Sequence, residues 1–396
     1  MASLADTFLD MAVNVSETQF TAAAEGYTNV HSRAKYALNC LLDSDFEKAQ
    51  HLGHTWRHTI TDNLTDRGQF HAGSGFRTQS EGGNTAFKLT QEFAFRYNYV
   101  HWDEPEIEAD LAPGMGDDYV KAKFGDTLAG KYQELYQMEA DAIEDALWAP
   151  ADEAAMFDNL TKPVSIPALI TEETYFPLQS DGSATTKVYN ATSTTAPNYD
   201  NGRFTYAALG GDSDTGDDLI GRLQDAWIQS DYEPIPMGAQ YGPGSMPPNM
   251  IFCSFTGLRA LRAALRQGQD RWGKMELVPG MGNAFTLGDG MMIKPISALG
   301  TALLYKNDSS PSALVNELNG TNGAISGPRF YGVNLRDMKL RVEAGHWMNL
   351  QKPTMLTAAG RPYEVHQGMK SKMQLTCDSR RTSFILSPST DITISA

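Results

Sequence analysis

The sequence has little cysteine, and the cysteines it has form no pair. Cys40, Cys253 and Cys377 are far apart in a chain of 396 residues. Zinc sites and disulfide scaffolds use closely spaced cysteines, so both classes are excluded. We expect the three thiols to be buried as small apolar side chains.

Long apolar runs are also missing. No stretch approaches the roughly 20 apolar residues that a membrane-spanning helix needs, and the first twenty residues contain no basic, apolar leader. The sequence therefore predicts a protein that is made in the cytoplasm and has no membrane partner.

Basic residues are scarce relative to acidic ones. The chain has 32 Lys and Arg against 48 Asp and Glu, a formal net charge of −16. Such a charge repels phosphate backbones and anionic lipid, which disfavours a general nucleic-acid binder. The length and a hydrophobic content of 41% predict two or three domains with sizeable cores.

The short motifs of common enzymes are absent. The sequence contains no G-x-x-x-x-G-K-[ST], no G-x-G-x-x-G after a strand, no G-x-S-x-G and no H-E-x-x-H. We therefore predict no catalytic residue, no cofactor and no enzymatic activity.

Two clusters keep a metal-binding alternative open. His51, His54 and His58 would share one face of a helix, as a metal-assisted hydrolase could use. An acidic loop, which carries Asp212, Asp214, Asp217 and Asp218, could hold Ca²⁺, but its spacing departs from the twelve-residue calcium loop. Exposed histidines and a solvated loop that caps a helix are the simpler interpretations, so no metal site is predicted.

The clearest helical pattern covers residues 126 to 149. An inward stripe is predicted at every third or fourth position, and Glu139 and Glu144 are among the charged residues expected outside it. The residues of the predicted stripe are Leu128, Tyr132, Leu135, Met138, Ala142, Ala146 and Ala149. Further helices are predicted near Phe20 to Leu41 with Ser16 as a cap, at 217 to 229, and at 255 to 267.

The clearest strand pattern follows a glycine-rich segment. Residues 62 to 85 contain scattered polar residues and isolated aromatics, which is typical of a long functional loop. After it, Phe87, Leu89, Phe93, Phe95, Tyr97 and Tyr99 fall on one parity of a strand. A partner strand before the loop would make residues ~55 to ~100 a two-stranded projection, which needs another surface because lone hairpins are marginal in water.

Several exposed side chains are candidates for contacts between subunits. Arg259, Arg262 and Arg266 share a face of the 255 to 267 helix and suit an acidic neighbour better than nucleic acid. Arg380 and Arg381 have the same two interpretations. Around the loop, the candidates are Phe70, Phe76, Arg77 and Phe87.

The order of these parts resembles the major capsid proteins of tailed bacteriophages, whose shell fold is shared by herpesvirus floors. The most specific similarities are IEDALWAP at 143 to 150, SIPALIT at 165 to 171 and CDSRR at 377 to 381. The resemblance implies an α+β fold with an N-terminal arm, an extended β-hairpin loop, a peripheral domain with a long spine helix, and an axial domain. By this resemblance, the arm is 1–54, the extended loop 55–105, the peripheral domain 106–214 with its spine helix at 126–149, the axial domain 215–328, and the return strands of the peripheral domain 329–396.

The resemblance also implies a function. The chain would self-assemble into pentamers and hexamers of an icosahedral phage head that encloses double-stranded DNA, touching that DNA only non-specifically. Its location would be the virion capsid, with scaffold, portal and cement proteins as further partners. The alternatives are the metal-assisted hydrolase and a fibre or lectin-type binding protein, for which six tryptophans and sixteen tyrosines could supply stacking surfaces.

Overall fold

The fold was analysed in a computed structural model of the 396-residue chain. The structure describes residues 37–43, 50–51, 55–63, 85–102, 117–149, 162–170, 201–209, 218–230, 249–267, 276–277, 285–286, 291–296, 299, 327–335, 337–352, 354–358, 361–377 and 380–389.

Five helices and fifteen strands lie in these described ranges. The helices are α1 (Leu38–Asp43), α2 (Asp117–Leu147), α3 (Ile166–Leu169), α4 (Leu219–Ser230) and α5 (Phe255–Gln267). The strands are β1 (Gln50–His51), β2 (Thr55–Asn63), β3 (Thr85–Glu92), β4 (Ala94–Trp102), β5 (Gly202–Tyr206), β6 (Asn249–Cys253), β7 (Glu276–Leu277), β8 (Phe285–Thr286), β9 (Met292–Pro295), β10 (Phe330–Asn334), β11 (Met338–Glu343), β12 (Asn349–Leu350), β13 (Thr354–Ala358), β14 (Arg361–Cys377) and β15 (Phe384–Pro388).

The chain divides into two compact units. Unit 1 consists of residues 1–33, 94–143 and 342–373, and unit 2 of residues 34–93, 144–341 and 374–396. The division into five segments predicted from the sequence stays a prediction.

Unit 1 combines a sheet with most of α2. The long strand β14 pairs antiparallel with β4 from Val365↔Trp102 to Met373↔Ala94. On its other edge β14 pairs with β12 and with β13. Arg96 on β4 donates from Nε to the Glu139 carboxylate on α2 at 2.8 Å, so α2 covers one face of this sheet.

Unit 2 is built on a seven-stranded sheet in the order β5-β15-β10-β6-β9-β8-β7. The pairs β15–β5 and β6–β9 are parallel, while β10 is antiparallel to both β15 and β6. Helices α4 and α5 pack on this sheet through Leu223, Leu258 and Leu261, which join Ile251, Ile293 and Phe330 in one hydrophobic core. The helix predicted at 255 to 267 has the same bounds as α5.

The predicted two-stranded projection is present as the antiparallel hairpin β2–β3. Its register runs from Thr55↔Glu92 to Asn63↔Thr85. Within the described residues β2 and β3 pair only with each other. The strand pattern that looked continuous from Phe87 to Tyr99 is interrupted at Phe93, so β3 belongs to the hairpin and β4 to the sheet of unit 1.

The spine helix predicted at 126 to 149 is α2, which begins nine residues earlier and ends at Leu147. Its buried face differs from the predicted stripe. Met138 is 44% exposed, whereas Glu139 and Glu144 are at most 2% exposed. The prediction was wrong at these three positions because the two carboxylates have hydrogen-bond partners within the fold, Arg96 for Glu139 and backbone N–H groups for Glu144.

The remaining expectations concern the cysteines, the N-terminal helix, the acidic loop before α4 and membrane-spanning helices. All three cysteines are buried. The structure describes the predicted N-terminal helix only from Ala37 onward, so Ser16 and Phe20 lie outside the described residues, as do Asp212, Asp214 and Asp217. Asp218 precedes α4, and its carbonyl accepts the Arg222 N–H at 3.0 Å. Among the described helices, none is long and apolar enough to span a bilayer.

Candidate subunit-contact surface

The sheet of unit 1 has one covered face and one open face. Successive side chains of a strand point to opposite faces. Since Arg96 reaches Glu139 on α2, the even-numbered positions of β4 face the helix. Ala94 and Val100 on that side are buried. The odd-numbered positions therefore point away from α2.

Those odd positions carry a row of exposed aromatic side chains. Phe95 is 49% exposed, Tyr97 43% and Tyr99 52%. Three of the five large hydrophobic side chains that are exposed in the described part of the chain lie in this row. An exposed group of this kind commonly marks an interaction site.

Residues of β14 extend this row sideways. In register, Lys370 lies opposite Tyr97, Gly368 opposite Tyr99 and His366 opposite His101. The Tyr99 and His366 rings lie 4.6 Å apart between centroids, and the Lys370 Nζ is 6.0 Å from the centre of the Tyr97 ring. We call Phe95, Tyr97, Tyr99, His101, His366, Gly368 and Lys370 the open face.

The absence of a side chain at Gly368 leaves room for the Tyr97 ring. A Cβ at this position would lie 2.1 Å from the Tyr97 hydroxyl oxygen and 2.4 Å from its Cζ. Any larger residue would have to displace the ring. Gly368 therefore lets the aromatic row lie close to the sheet instead of standing away from it.

Sequence reasoning missed the open face. The signal was the shared parity of Phe95, Tyr97 and Tyr99, but alternation alone does not say which parity is buried. The opposite parity also contains Arg96 and Asn98, which look like surface residues in the sequence. Arg96 is accommodated under α2 because Glu139 balances its charge.

The predicted arginine contacts are placed as follows. Arg259 and Arg262 are exposed on α5, and Arg266 lies in the same helix. Arg381 is exposed. Their role in subunit contacts stays a prediction.

Arg380 requires a correction. Its side chain is 2% exposed, its Nε donates to the Leu169 carbonyl, and its Nη2 donates to Asn201 Oδ1 at 2.8 Å. A guanidinium held inside the subunit in this way is not free to meet a neighbour. Arg380 instead joins three separate chain segments of unit 2.

Glu144 performs a similar joining function. Its Oε1 accepts from the Ala37 N–H and from Trp148 Nε1, both at 2.8 Å, and its Oε2 accepts from the Leu38 N–H at 2.9 Å. Burial raises the pKa of this carboxyl to about 7, although these donors and the nearby Lys294 charge oppose the shift. Lys294 Nζ in turn donates to Cys40 Sγ at 3.1 Å.

The three quoted sequence similarities therefore have structural roles. IEDALWAP supplies Glu144 and the fully buried Trp148, whose ring makes edge contacts with Phe252 and Tyr331. SIPALIT forms α3, in which Ser165 caps the helix by accepting the Ala168 N–H. Arg380 of CDSRR then binds the last carbonyl of α3.

The metal-assisted hydrolase was based on three histidines that share one helix face, and the structure does not support that arrangement. His51 lies in β1 and His58 in β2, so a shared helix face does not exist there, and His54 lies outside the described residues. In the part of the chain that the structure describes, no group of three His, Cys, Asp or Glu side chains could hold a metal ion.

The predicted loop contacts lie mostly beyond the described structure. Phe70, Phe76 and Arg77 fall in residues 64–84, outside the described ranges. Phe87 is in β3, directly opposite Ile60 in the hairpin register. Their assignment to a subunit contact stays a prediction.

Comparison with known proteins gives the class of fold. No family model matches the sequence, and a search of curated proteins found no match. A chain of the cyanophage A-1(L) capsid asymmetric unit aligns with a TM-score of 0.50 and 10% identity, covering 94% of this chain and 95% of that chain.

Two further solved structures align over similar lengths. A chain from Mycobacterium phage Adephagia has a TM-score of 0.46 and 11% identity, covering 94% of this chain and 96% of that one. A chain of the native GTA particle capsid has a TM-score of 0.46 and 8% identity, covering 94% and 98%.

The protein therefore has a phage capsid fold. More particularly, the mixed helix and sheet fold is that of tailed-phage major capsid proteins, and the resemblance stated from the sequence is confirmed at the level of the fold.

Proposed function

We propose that this chain is the major shell protein of an icosahedral phage head, assembling into pentamers and hexamers that enclose double-stranded DNA. The observation that carries the proposal is the fold likeness to the cyanophage A-1(L) capsid chain over 94% of the sequence. A shell role is structural, so the protein is not an enzyme. It acts in the virion capsid after synthesis in the host cytoplasm.

The hairpin β2–β3 supports assembly. The hairpin β2–β3, with strands of nine and eight residues, spans about 30 Å. A two-stranded sheet alone is marginally stable, so a surface on another subunit would stabilise it. Head-to-tail contacts of this kind close into rings.

The charge of the chain suits a container. At a net charge of −16, the subunit repels packaged DNA over most of its surface, and contact with that DNA stays non-specific.

In this proposal Phe70, Phe76, Arg77 and Phe87 contribute to contacts of the extended loop. Arg259, Arg262, Arg266 and Arg381 meet acidic surfaces of neighbouring subunits. Scaffold, portal and cement proteins complete the head.

The direct test is the size of the particles that the purified chain forms. We expect light scattering and negative-stain microscopy to show closed shells, or rings of five and six subunits, across a series of salt and protein concentrations. A stable dimer or tetramer, with or without added scaffold protein from the same phage, would contradict the proposal.

A second test removes the loop tip. Deleting residues 66 to 84 should leave a folded subunit that no longer closes shells, because the projection loses its contact with a neighbour. Replacing the same residues with a Gly/Ser segment of equal length separates chain length from side-chain contacts. Shells of normal size from the deletion variant would show that the loop is not required.

A further inference from the structure

We propose that the open face of unit 1 docks onto an acidic surface of a second copy of this chain, in a head-to-tail contact. The inference rests on the proposed shell function and names one of the surfaces that would form its rings. It is carried by the exposure, the register and the charge of residues on β4 and β14.

The apolar side chains of the open face favour burial against another surface. Phe95, Tyr97 and Tyr99 are each close to half exposed. A buried aromatic side chain covers 150–250 Å² in general, so the three together leave on the order of 300 Å² exposed. A patch of that size on a subunit is frequently functional. It suits the centre of a larger contact, since a stable interface needs about 800 Å² per partner.

The open face carries one lysine and no carboxylate. The eight positions of β4 and β14 that share this face, from Phe95 to His101 and from His366 to Lys372, include no Asp or Glu. Lys372 is paired with Glu343 at 2.7 Å. Lys370 lies beside the Tyr97 ring, and among the described residues it has no carboxylate partner.

A contact of the open face with itself would leave Lys370 without a carboxylate. In a two-fold contact the Lys370 ammonium groups of both copies would enter one interface, to which the open face contributes no Asp or Glu, and unpaired like charges there cost affinity. A contact that joins two different surfaces can supply the missing carboxylate. Such heterologous contacts close into rings or extend into filaments.

A second copy is the occupant that the charges favour. The chain carries 48 acidic against 32 basic residues, so most of its surface offers carboxylates to Lys370. Nucleic acid could also stack bases on tyrosines. Nucleic acid needs several cations for its phosphates, however. The open face offers only Lys370, which has no carboxylate partner among the described residues.

Photo-crosslinking identifies the occupant directly. A p-benzoylphenylalanine at Tyr97 keeps an aromatic side chain and reacts with whatever covers it. Particles assembled from equal amounts of ¹⁵N-labelled and unlabelled full-length chain distinguish cross-links between copies from those within one copy. We expect mixed-isotope cross-links to a segment whose acidic residues outnumber its basic ones.

Substitutions test the energetic role. Tyr97→Ser and Lys370→Glu should each lower the yield of rings or particles about tenfold, while Tyr97→Phe retains assembly. The matched controls are Ile228→Ser, an exposed apolar residue on α4 in unit 2, and Lys352→Glu, an exposed lysine in unit 1. Neither control should alter assembly. A Glu→Lys change in the cross-linked segment should restore assembly of Lys370→Glu.

The outcomes separate this inference from the proposed function. If the wild-type chain forms no rings or particles, either alone or with added scaffold protein from the same phage, the shell function fails. If particles form normally from Tyr97→Ser and Lys370→Glu, the shell function stands and the docking inference is overturned. The docking inference is also overturned if cross-links form only within one copy or only to nucleic acid. It is overturned as well if they form only to segments whose acidic residues do not outnumber the basic ones, such as residues 64–84.

Discussion

Glu144 shows how a charged residue can hold a fold together from inside. It lies near the end of α2, and it accepts hydrogen bonds from two backbone N–H groups at the start of α1 and from the Trp148 ring. Each buried donor would lose its partner if the carboxyl were removed, which costs about 1–3 kcal/mol per group. The residue therefore holds the start of α1 against the end of α2.

We predict that Glu144 makes stability depend on pH. Its pKa is about 7 in the folded state against 4.5 for the ordinary side chain. Because the folded state holds the proton more tightly, stability is highest below pH 4.5 and falls as pH rises through 7. Glu144→Gln should abolish this fall, so the destabilisation that it causes should be a few kcal/mol larger at pH 4.5 than at pH 8.

Urea unfolding of the isolated subunit at several pH values measures this effect. Glu134→Gln is the matched control, because Glu134 is exposed on the same helix. An equal destabilisation by Glu144→Gln at every pH would show that the carboxyl does not titrate in this range.

The exposure of individual side chains shows which face of helix α2 is buried. Leu135 is fully buried and Met138 is 44% exposed, although they lie three positions apart. Leu135→Ala should lower the free energy of unfolding by about 2–5 kcal/mol, because it leaves a cavity. Met138→Gln should change it by less than about 0.5 kcal/mol.

Chemical unfolding of the two variants distinguishes the observed face from the one expected from the sequence, where both residues point inward. Comparable losses for Leu135→Ala and Met138→Gln would favour the sequence-based stripe. The difference matters for function because Glu139, the neighbour of Met138, holds Arg96 and so sets which side of β4 is open.

For the whole molecule, assembly should stabilise the subunit. Contacts that bind the folded but not the unfolded chain raise apparent stability by mass action. We expect the Tm of assembled particles to exceed that of the isolated subunit by several degrees, and the Tm of dissociable rings to rise with protein concentration. Differential scanning calorimetry on separated fractions gives both values. Equal Tm values would mean that the contacts add no stability to the folded state.

Much of the architecture could be predicted because it depends on local patterns. The alternation of Leu and Arg along 255 to 267 is a property of one helix, and it gave the bounds of α5. The glycine-rich segment and the strand pattern after it predicted a hairpin with a partner strand before the segment, and β2 and β3 form that hairpin. The motifs at 143 to 150, 165 to 171 and 377 to 381 indicated the fold through the resemblance. Each of them supplies buried side chains that connect segments of unit 2.

Sequence patterns were enough to predict the main helices, the hairpin and, through the resemblance, the class of fold. The exposure of Phe95, Tyr97 and Tyr99 and the burial of Glu139, Glu144 and Arg380 depend on tertiary packing, which the sequence patterns did not reveal. Periodicity shows which side chains share a face, whereas burial depends on which distant segment covers that face. Arg96 and Glu139 are 43 positions apart and Arg380 and Leu169 are 211 apart, so the hydrogen-bond partners of these charged side chains are set by long-range packing.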